Sequence, residues 1–317
     1  MRAVFLDYQT FSPSLDLAVL RQTVSKLDLY PVTTPAQVLL RSIDAEIILS
    51  NKVILSRAIL SQLPHLKLIC ITATGINNVD IDAARELGIA VTNVSGYAKN
   101  SVAQYVFAQL LAYYSQIEDH NNNTRAGQWQ ASDTFCMHGK GSDELAGKTM
   151  GIIGYGALGN KVATIARAFD MRVLIAERPK AGEIRIGRVA FGQVISQADI
   201  ISLHCPQTAE TEGLFDKEIF NCMKNSAVLI NTARGALINN HDLLAALNDN
   251  QLAGAILDVL DQEPPPKGHI LLAAQSTKLK ITAHIAWASQ QAQQALLHLV
   301  AKNITAFKQD ERTNRID

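Results

Sequence analysis

The stretch MGIIGYGALG, residues 150–159, constrains the fold more than any other part of the sequence. An apolar run typical of a strand buried on both faces ends in three glycines spaced GxGxxG. Apolar residues then recur at helical spacing as far as Phe169, so Gly154, Gly156 and Gly159 lie at a predicted strand-to-helix turn. Such a turn binds the pyrophosphate of a dinucleotide, because the amide donors and the dipole at the helix N-terminus favour an anion.

The next apolar run, RVLIA at 172–176, predicts the second half of a dinucleotide site. It ends in Glu177, about 20 residues beyond the glycines, where an acid accepts the hydroxyls of an adenosine ribose. The alternative is a structural turn followed by a solvated charge at a strand end. The glycines, their strand-to-helix context and the acid together favour dinucleotide binding over that alternative.

Composition and charge indicate a small-molecule partner. The 317 residues carry 29 basic and 29 acidic side chains with no basic block, so we expect neither nucleic acid nor an anionic membrane surface as a partner. No apolar run reaches the roughly 20 residues that span a bilayer, and the apolar core at 3–6 is too short for a signal peptide. We therefore expect a cytoplasmic protein. The scattered cysteines form no CxxC, and no metal site is expected.

The first 98 residues alternate between strand and helix patterns, which predicts βαβ units around a parallel sheet. In the second half, strand patterns follow the glycine turn in the same way. The predicted strands of the first half lie at 4–6, 46–49, 66–71 and 89–91, and its helices at 15–24, 35–41, 57–63 and 81–87.

A long helical pattern at 101–125 follows, about 25 residues and roughly 37 Å in length. We interpret it as one helix joining two domains, with an apolar stripe left for a second subunit, so a two-fold homodimer is expected. The sequence at 128–146 shows no clear hydrophobic periodicity. A last helix at 290–308 is predicted to return to the first half. The expected domains are therefore 1–98 with 288–317, and 99–287.

Three groups that can carry out acid–base chemistry lie beyond predicted strands of the second half: Arg234, Glu263 and His284. The carboxyl ends of parallel strands meet at one edge of a sheet, where ligands bind. Histidine exchanges a proton near neutral pH, a carboxylate beside it holds its tautomer, and arginine presents a planar fork to a substrate carboxylate. Singly, each is more often an ordinary surface residue. Their joint placement predicts a site.

Ordered motifs along the chain carry a family resemblance. They are ATGINNVD (73–80), SVAQYVFAQLL (101–111), ELAGKTMGIIGYGALG (144–159), HCPQT (204–208), NTARG (231–235), LDV with EP (257–259, 263–264) and HIAW (284–287). Together they resemble the D-isomer-specific 2-hydroxyacid dehydrogenases, most closely the glycerate dehydrogenases, also called hydroxypyruvate reductases. The resemblance implies an α/β fold of two doubly wound parallel-sheet domains. One is a Rossmann dinucleotide-binding domain at 99–287, and the other is a flavodoxin-like substrate (lid) domain.

The resemblance also implies roles for individual residues. The family's catalytic set falls on Arg234, Glu263 and His284, and its substrate contacts fall on Thr74, Gly75, Arg234 and His284. Its cofactor contacts fall on Gly154, Gly156, Ala157, Leu158, Gly159, Glu177, Cys205, Pro206, Thr232, Ala233, Arg234, Asp258, His284, Ala286, Trp287 and Val102.

The function implied is hydride transfer between NAD(H) and a small 2-oxo or D-2-hydroxy acid, with hydroxypyruvate/D-glycerate or glyoxylate/glycolate favoured. NADP is expected less, since Glu177 would repel a 2'-phosphate. An alternative from another class is a dinucleotide-sensing protein without significant turnover, because the family resembles transcriptional corepressors that keep the same fold. Formate dehydrogenase, a third alternative, carries Gln where this chain has Glu263.

Overall fold

The computed structural model describes residues 1–317 and divides the chain into two compact units. Unit 1 comprises Met1–Ala98 with Trp287–Asp317, and unit 2 comprises Lys99–Ala286. Each unit contains one sheet whose paired strands are all parallel, so the predicted α/β class is confirmed. None of the helices is both long enough and apolar enough to cross a bilayer.

Unit 1 is built on a five-stranded sheet with the strand order 2-1-3-4-5. Its strands are β1 (Arg2–Phe5), β2 (Lys26–Leu29), β3 (Ile47–Ser50), β4 (Leu68–Ile71) and β5 (Ala90–Thr92). No sequence pattern predicted β2. This edge strand alternates charged and apolar residues over only four positions, and its Asp28 accepts a 3.1 Å hydrogen bond from Arg2 Nε. The pairing with β1, rather than an apolar run, makes it a strand.

The helices of unit 1 are shorter than predicted. They are α1 (Ala18–Arg21), α2 (Val38–Ser42), α3 (Arg57–Leu60) and α4 (Ile81–Glu86), with a 3-10 turn at Pro35–Gln37. The pattern at 15–24 gives only the four residues of α1. The segment before α1 does not extend the helix, because its backbone is hydrogen-bonded to a distant part of the chain. Gln294 Oε1 accepts a 3.0 Å hydrogen bond from Asp16 N.

Unit 2 contains a six-stranded sheet with the order 11-10-9-8-6-7. Its strands are β6 (Thr149–Ile153), β7 (Arg172–Ile175), β8 (Ile200–Leu203), β9 (Val228–Asn231), β10 (Gly254–Leu257) and β11 (Leu279–Ile281). Its helices are α5 (Lys99–Ser115), α6 (Ile117–Arg125), α7 (Ala157–Ala168), α8 (Phe191–Gln197), α9 (Lys217–Cys222), α10 (Asn240–Asn248) and α11 (Ile270–Ala273). The last helix of the chain, α12 (Gln290–Lys308), belongs to unit 1 and ends where predicted.

The prediction of one long helix at 101–125 was wrong. The chain breaks at Gln116, which has a left-handed φ of 50° and whose Nε2 donates a 2.5 Å hydrogen bond to Tyr113 O. Before the break, α5 is held by packing, with Phe107 stacked on Phe169 at 5.4 Å between ring centroids. After it, α6 buries no residue. Because α6 has no buried face, no packing interaction favours a single unbroken helix through Gln116.

Candidate active site

The glycine turn joins β6 to α7, as the spacing predicts. Gly154 has φ 93°, and a Cβ there would lie 2.5 Å from the backbone nitrogen of Cys205. Only glycine therefore allows the turn to pack against the loop that follows β8. Gly156 is the N-cap residue of α7 and makes no side-chain cap, so the first amides of this helix have no partner from that source.

A cavity of about 580 Å³ lies at the start of α7. It is lined by Tyr155, Gly156 and Ala157 of the turn, Asn160 and Lys161 of α7, and Lys99 and Asn100 at the start of α5. A Cβ on Gly156 would meet no atom within 4 Å. Two lysines, uncapped helix amides and an open approach are the features that a pyrophosphate needs.

Glu177 follows β7 and is held by the loop after it. The side chain is 3% exposed and accepts hydrogen bonds from Arg178 N at 2.8 Å, Arg185 N at 3.2 Å and Arg185 Nε at 2.7 Å, and from Arg185 Nη2. The hydrogen bonds from the Arg185 side chain hold the pKa of this carboxyl well below its usual range. Glu177 is therefore ionised and fully engaged by its neighbours.

The NTARG loop after β9 is fixed by its own asparagine. Asn231 Oδ1 accepts a 2.9 Å hydrogen bond from Ala233 N, and Asn231 Nδ2 donates at 2.8 Å to Arg234 O. Gly235 then lies against Leu260, since a Cβ on it would be 1.8 Å from the Leu260 carbonyl carbon. The loop carrying Arg234 is thereby held against the loop that leads to Glu263.

His284 and Glu263 form a pair at the carboxyl end of the sheet. His284 Nδ1 lies 2.6 Å from Glu263 Oε2, and the two side chains are 25% and 33% exposed. The other carboxylate oxygen, Oε1, accepts a 3.0 Å hydrogen bond from Leu260 N. A carboxylate anchored in this way can hold the ring and its Nδ1 proton, which leaves Nε2 as the ring atom available for proton exchange.

Asp258 is 1% exposed, and its carboxylate holds the loop that carries His284. Oδ1 accepts hydrogen bonds from Thr282 Oγ1 at 2.6 Å and Ile285 N at 2.9 Å, and Oδ2 accepts from Ala286 N at 2.8 Å. The Asp258 carbonyl accepts from His284 N at 2.7 Å. These bonds stabilise the left-handed φ of 54° at His284, a conformation that few non-glycine residues adopt.

His204 follows β8 and is partly buried, with its ring Nδ1 inaccessible to solvent. Its Nε2 lies 2.9 Å from Ser202 Oγ, and burial lowers the pKa of the ring to about 4, so the ring is neutral at neutral pH. Its Nδ1 and Thr232 Oγ1, on the neighbouring strand end, are buried polar atoms with no hydrogen-bond partner. Two orphaned groups at the ends of neighbouring strands fit a site that a ligand completes. Burial also raises the pKa of Cys205, the next residue.

The remaining predicted positions lie in both units. In unit 1, Thr74 Oγ1 donates to Val94 O at 2.9 Å, with Gly75 next to it, and Trp287 meets the rings of Phe11 and Tyr97 edge-on. Val102 is on α5 and buried. Within unit 2, Leu158 and Gly159 lie in the first turn of α7, Pro206 follows Cys205, and Ala286 is buried.

The comparisons with known proteins point to one family. Residues 107–286 match the family described as D-isomer specific 2-hydroxyacid dehydrogenase, NAD binding domain. A glycerate dehydrogenase of Methylorubrum extorquens is 40% identical, with 90% of this chain and 89% of that protein covered. A hydroxypyruvate reductase of Blautia hydrogenotrophica is 35% identical, with the same coverage. A solved structure of the TT0316 protein from Thermus thermophilus superposes with a TM-score of 0.85 at 30% identity, covering all of both chains.

This chain belongs to the D-isomer-specific 2-hydroxyacid dehydrogenases. The family recognised from the sequence motifs is confirmed, and the protein is an oxidoreductase of 2-hydroxy acids. Its cofactor is a nicotinamide dinucleotide, and the glycine turn, the cavity beside it and the orphaned polar atoms of unit 2 fit that group. The alternative of a dinucleotide sensor without turnover is not favoured, since these relatives are named as enzymes.

The sequence analysis assigned no role to several side chains that shape this dehydrogenase site. Arg185 engages Glu177, Gly235 packs on Leu260, and Thr282 links Asp258 to Tyr105, whose hydroxyl lies 2.5 Å from Thr282 Oγ1. Burial raises the pKa of Tyr105. Gly235, directly after Arg234, is a sequence signal that indicates this close backbone contact. The other contacts join distant positions, which a single sequence does not reveal.

Proposed function

We propose that this protein interconverts a small 2-oxo acid and its D-2-hydroxy acid with NAD(H). Hydroxypyruvate/D-glycerate and glyoxylate/glycolate are the favoured pairs, because relatives that cover most of this chain are named glycerate dehydrogenase, hydroxypyruvate reductase and glyoxylate reductase. The single observation that carries the proposal is the His284–Glu263 pair, 2.6 Å apart at the carboxyl end of the sheet that also carries the glycine turn.

His284 is the proposed acid–base group. When bound, the nicotinamide ring supplies a hydride to the carbonyl carbon of the 2-oxo acid or, in the reverse direction, accepts one from the hydroxyl-bearing carbon of the 2-hydroxy acid. In the reductive direction protonated His284 donates the Nε2 proton to the carbonyl oxygen, and in the oxidative direction neutral His284 removes it from the hydroxyl. Glu263 holds the opposite nitrogen and stabilises the charged ring. The partial exposure of both side chains lets the ring exchange protons with solvent.

Arg234 is the proposed substrate-orienting group. Its guanidinium binds the substrate carboxylate and polarises the carbonyl, which stabilises the negative charge that develops on the oxygen. The backbone of the loop is held by Asn231, so the orientation of Arg234 is preset before substrate binds. Backbone amides at Thr74 and Gly75 are proposed as further donors to the carboxylate.

We assign the substrate (lid) domain to residues 1–98 and 288–317 and the coenzyme domain to 99–287. The coenzyme is proposed to contact the residues that the family resemblance names, from the glycine turn to Ala286 and Trp287. NAD(H) is favoured over NADP(H), because an acid at the end of β7 disfavours a 2'-phosphate. Support for the coenzyme domain comes from the family match over residues 107–286.

A homodimer is the proposed assembly, and the cytoplasm the proposed compartment. The segment after α5 exposes large apolar side chains, with Ile117 64%, Trp129 51% and Phe135 90% accessible. Apolar groups of this size grouped in one segment are typical of a surface that another subunit covers. Light scattering should give twice the 34.5 kDa of one chain, and a mass near 34.5 kDa at micromolar concentration would exclude the dimer.

The test of the proposed function is a panel of 2-oxo acids assayed with NADH and with NADPH. We expect oxidation of NADH with hydroxypyruvate or glyoxylate at a kcat/KM at least about tenfold above that for pyruvate or longer 2-oxo acids. The product should be the D-isomer wherever it is chiral. Coenzyme binding without turnover on any acid of the panel would favour the sensing alternative instead.

A further inference from the structure

Glu177 has no acceptor position left for a ribose. Its Oε1 accepts from Arg178 N and Arg185 Nη2, and its Oε2 accepts from Arg185 N and Arg185 Nε. A carboxylate offers about four lone-pair positions, and all four are taken. Two ribose hydroxyls therefore find an acceptor on Glu177 only if the Arg185 side chain first moves away.

The accessible charge at the end of β7 is positive, whereas Glu177 alone would make it negative. Arg185 forms a bidentate pair with the carboxylate, and Arg188 Nη1 lies 3.8 Å from the same oxygen, Oε1. The loop from 178 to 188 also carries Arg178 and Lys180. The carboxylate is 3% exposed whereas the Arg185 side chain is 53% exposed, so the accessible group at this place is a guanidinium with unused donors.

Backbone hydrogen bonds hold Arg185 in this position. Glu177 N donates to Val189 O at 2.8 Å, and Val189 N donates to Ile175 O at 2.8 Å, which closes the loop against β7. Arg185 N itself donates to Glu177 at 3.2 Å. The loop backbone is therefore fixed at Arg185, and the guanidinium is held by its bidentate pair with Glu177.

We infer that Arg185 is a coenzyme-selecting residue that weakens the discrimination of Glu177 against a 2'-phosphate. While Arg185 is paired with Glu177, its positive charge offsets the carboxylate charge that would repel the 2'-phosphate of NADP(H). The remaining N–H groups of Arg185 are donors for that phosphate. The inference rests on the proposed function only in placing the adenosine ribose beside Glu177. The wild-type preference for NAD(H) is then narrow, less than about tenfold.

The first test uses wild-type protein and two probes that differ only in the 2'-phosphate, 5'-AMP and adenosine 2',5'-bisphosphate, measured by titration calorimetry. We expect their dissociation constants to agree within about tenfold, because the paired carboxylate does not repel the second phosphate. Binding of the bisphosphate more than about tenfold weaker than AMP would overturn the inference. Absence of binding by both would overturn the ribose placement itself.

The second test changes each partner of the pair. Arg185→Ala frees the carboxylate, so the ratio of the bisphosphate to the AMP dissociation constant should rise at least about tenfold. Glu177→Gln removes the charge and releases Arg185, so the ratio should fall. Arg172→Ala is the matched control, since it removes the same charge from an exposed position at the opposite end of β7. Its ratio should equal that of the wild type.

A ratio within twofold of wild type in Arg185→Ala, or a higher ratio in Glu177→Gln, would contradict the inference. If Arg185→Ala does not fold, Arg185→Gln and Glu177→Gln still test the inference, because each removes one charge and keeps a polar side chain. These are binding measurements and need no turnover. Failure of the proposed function would instead show as no oxidation of NADH with any 2-oxo acid, whatever the binding ratios.

Discussion

Two histidines follow strands of the same six-stranded sheet, and the structure gives them opposite chemistry. His204 comes directly after β8, has a solvent-inaccessible ring Nδ1, and has a pKa lowered to about 4 by desolvation. His284 follows β11, is 25% exposed, and has Glu263 2.6 Å from its Nδ1. One ring is kept neutral by its surroundings, and the other has both a carboxylate and solvent access.

Position at the carboxyl edge of a sheet does not by itself make a histidine suited to acid–base chemistry. His204 has Ser202 as its only side-chain partner, and a hydroxyl does not stabilise a charged ring as a carboxylate does. His284 has an anchored acid on one nitrogen, so the other can give and take a proton. Only His284 is therefore proposed to take part in the reaction.

Replacing the exposed histidine should have the largest effect. His284→Ala is expected to lower kcat by about 10²–10⁴, the usual contribution of a positioned proton donor. Steady-state oxidation of NADH with the best 2-oxo acid of the panel measures it, with circular dichroism as the control for folding. His204→Gln is the matched comparison and should lose far less. Turnover of His284→Ala within tenfold of wild type would place the proton on another residue.

Removing only the charge of Glu263, the partner of His284, should have a smaller effect on kcat. Glu263→Gln keeps a side chain of similar shape but does not stabilise a protonated ring, so kcat should fall about 10- to 100-fold. The double variant His284→Ala/Glu263→Gln should be no slower than His284→Ala, because the pair acts as one unit. Additive losses in the double variant would show that Glu263 acts independently of His284.

Burial of His204 should make the protein sensitive to acid. Its folded pKa of about 4 lies below the ordinary 6.5, so the unfolded chain binds the proton first as the pH falls. The stability is complete above pH 6.5 and is lost progressively toward pH 4, about 2 kcal/mol of it between pH 7 and pH 5. Urea denaturation at the two pH values measures this loss. His204→Gln, which does not titrate, should lose about 2 kcal/mol less than wild type, and equal losses would rule out a buried neutral ring.

The smallest expected effect is on the free energy of unfolding, from replacing Ser202, the partner of the His204 ring. Ser202→Ala leaves His204 Nε2 buried without a hydrogen bond, which should lower the free energy of unfolding by roughly 1 kcal/mol. Ser196→Ala is the control, since the hydroxyl of Ser196 bonds only Gln193 O at an exposed position. Urea midpoints at pH 7 compare the two variants. Equal midpoints would mean that the Ser202 hydroxyl does not contribute to holding the ring.

Local sequence patterns predicted those elements whose signal is contained within one segment. The strand, glycines and helix at 150–169 and the helix Gln290–Lys308 are of this kind, because apolar periodicity and backbone constraints act over a few residues. The helix at 101–125 was overextended, since its periodicity does not show that α6 has nothing to pack against. The edge strand Lys26–Leu29 was missed because pairing with β1 decides it.

The family, the α/β class and the order of the candidate site residues could be predicted from the amino-acid sequence, because glycine spacing and short motifs are local properties of a chain. The contacts of each charged group depend on tertiary packing. Glu177 is engaged by Arg185 because the loop between them folds back on β7, and Asp258 holds the His284 loop through Thr282, Ile285 and Ala286. Contacts across such separations depend on how strands and loops pack, and no local pattern encodes them.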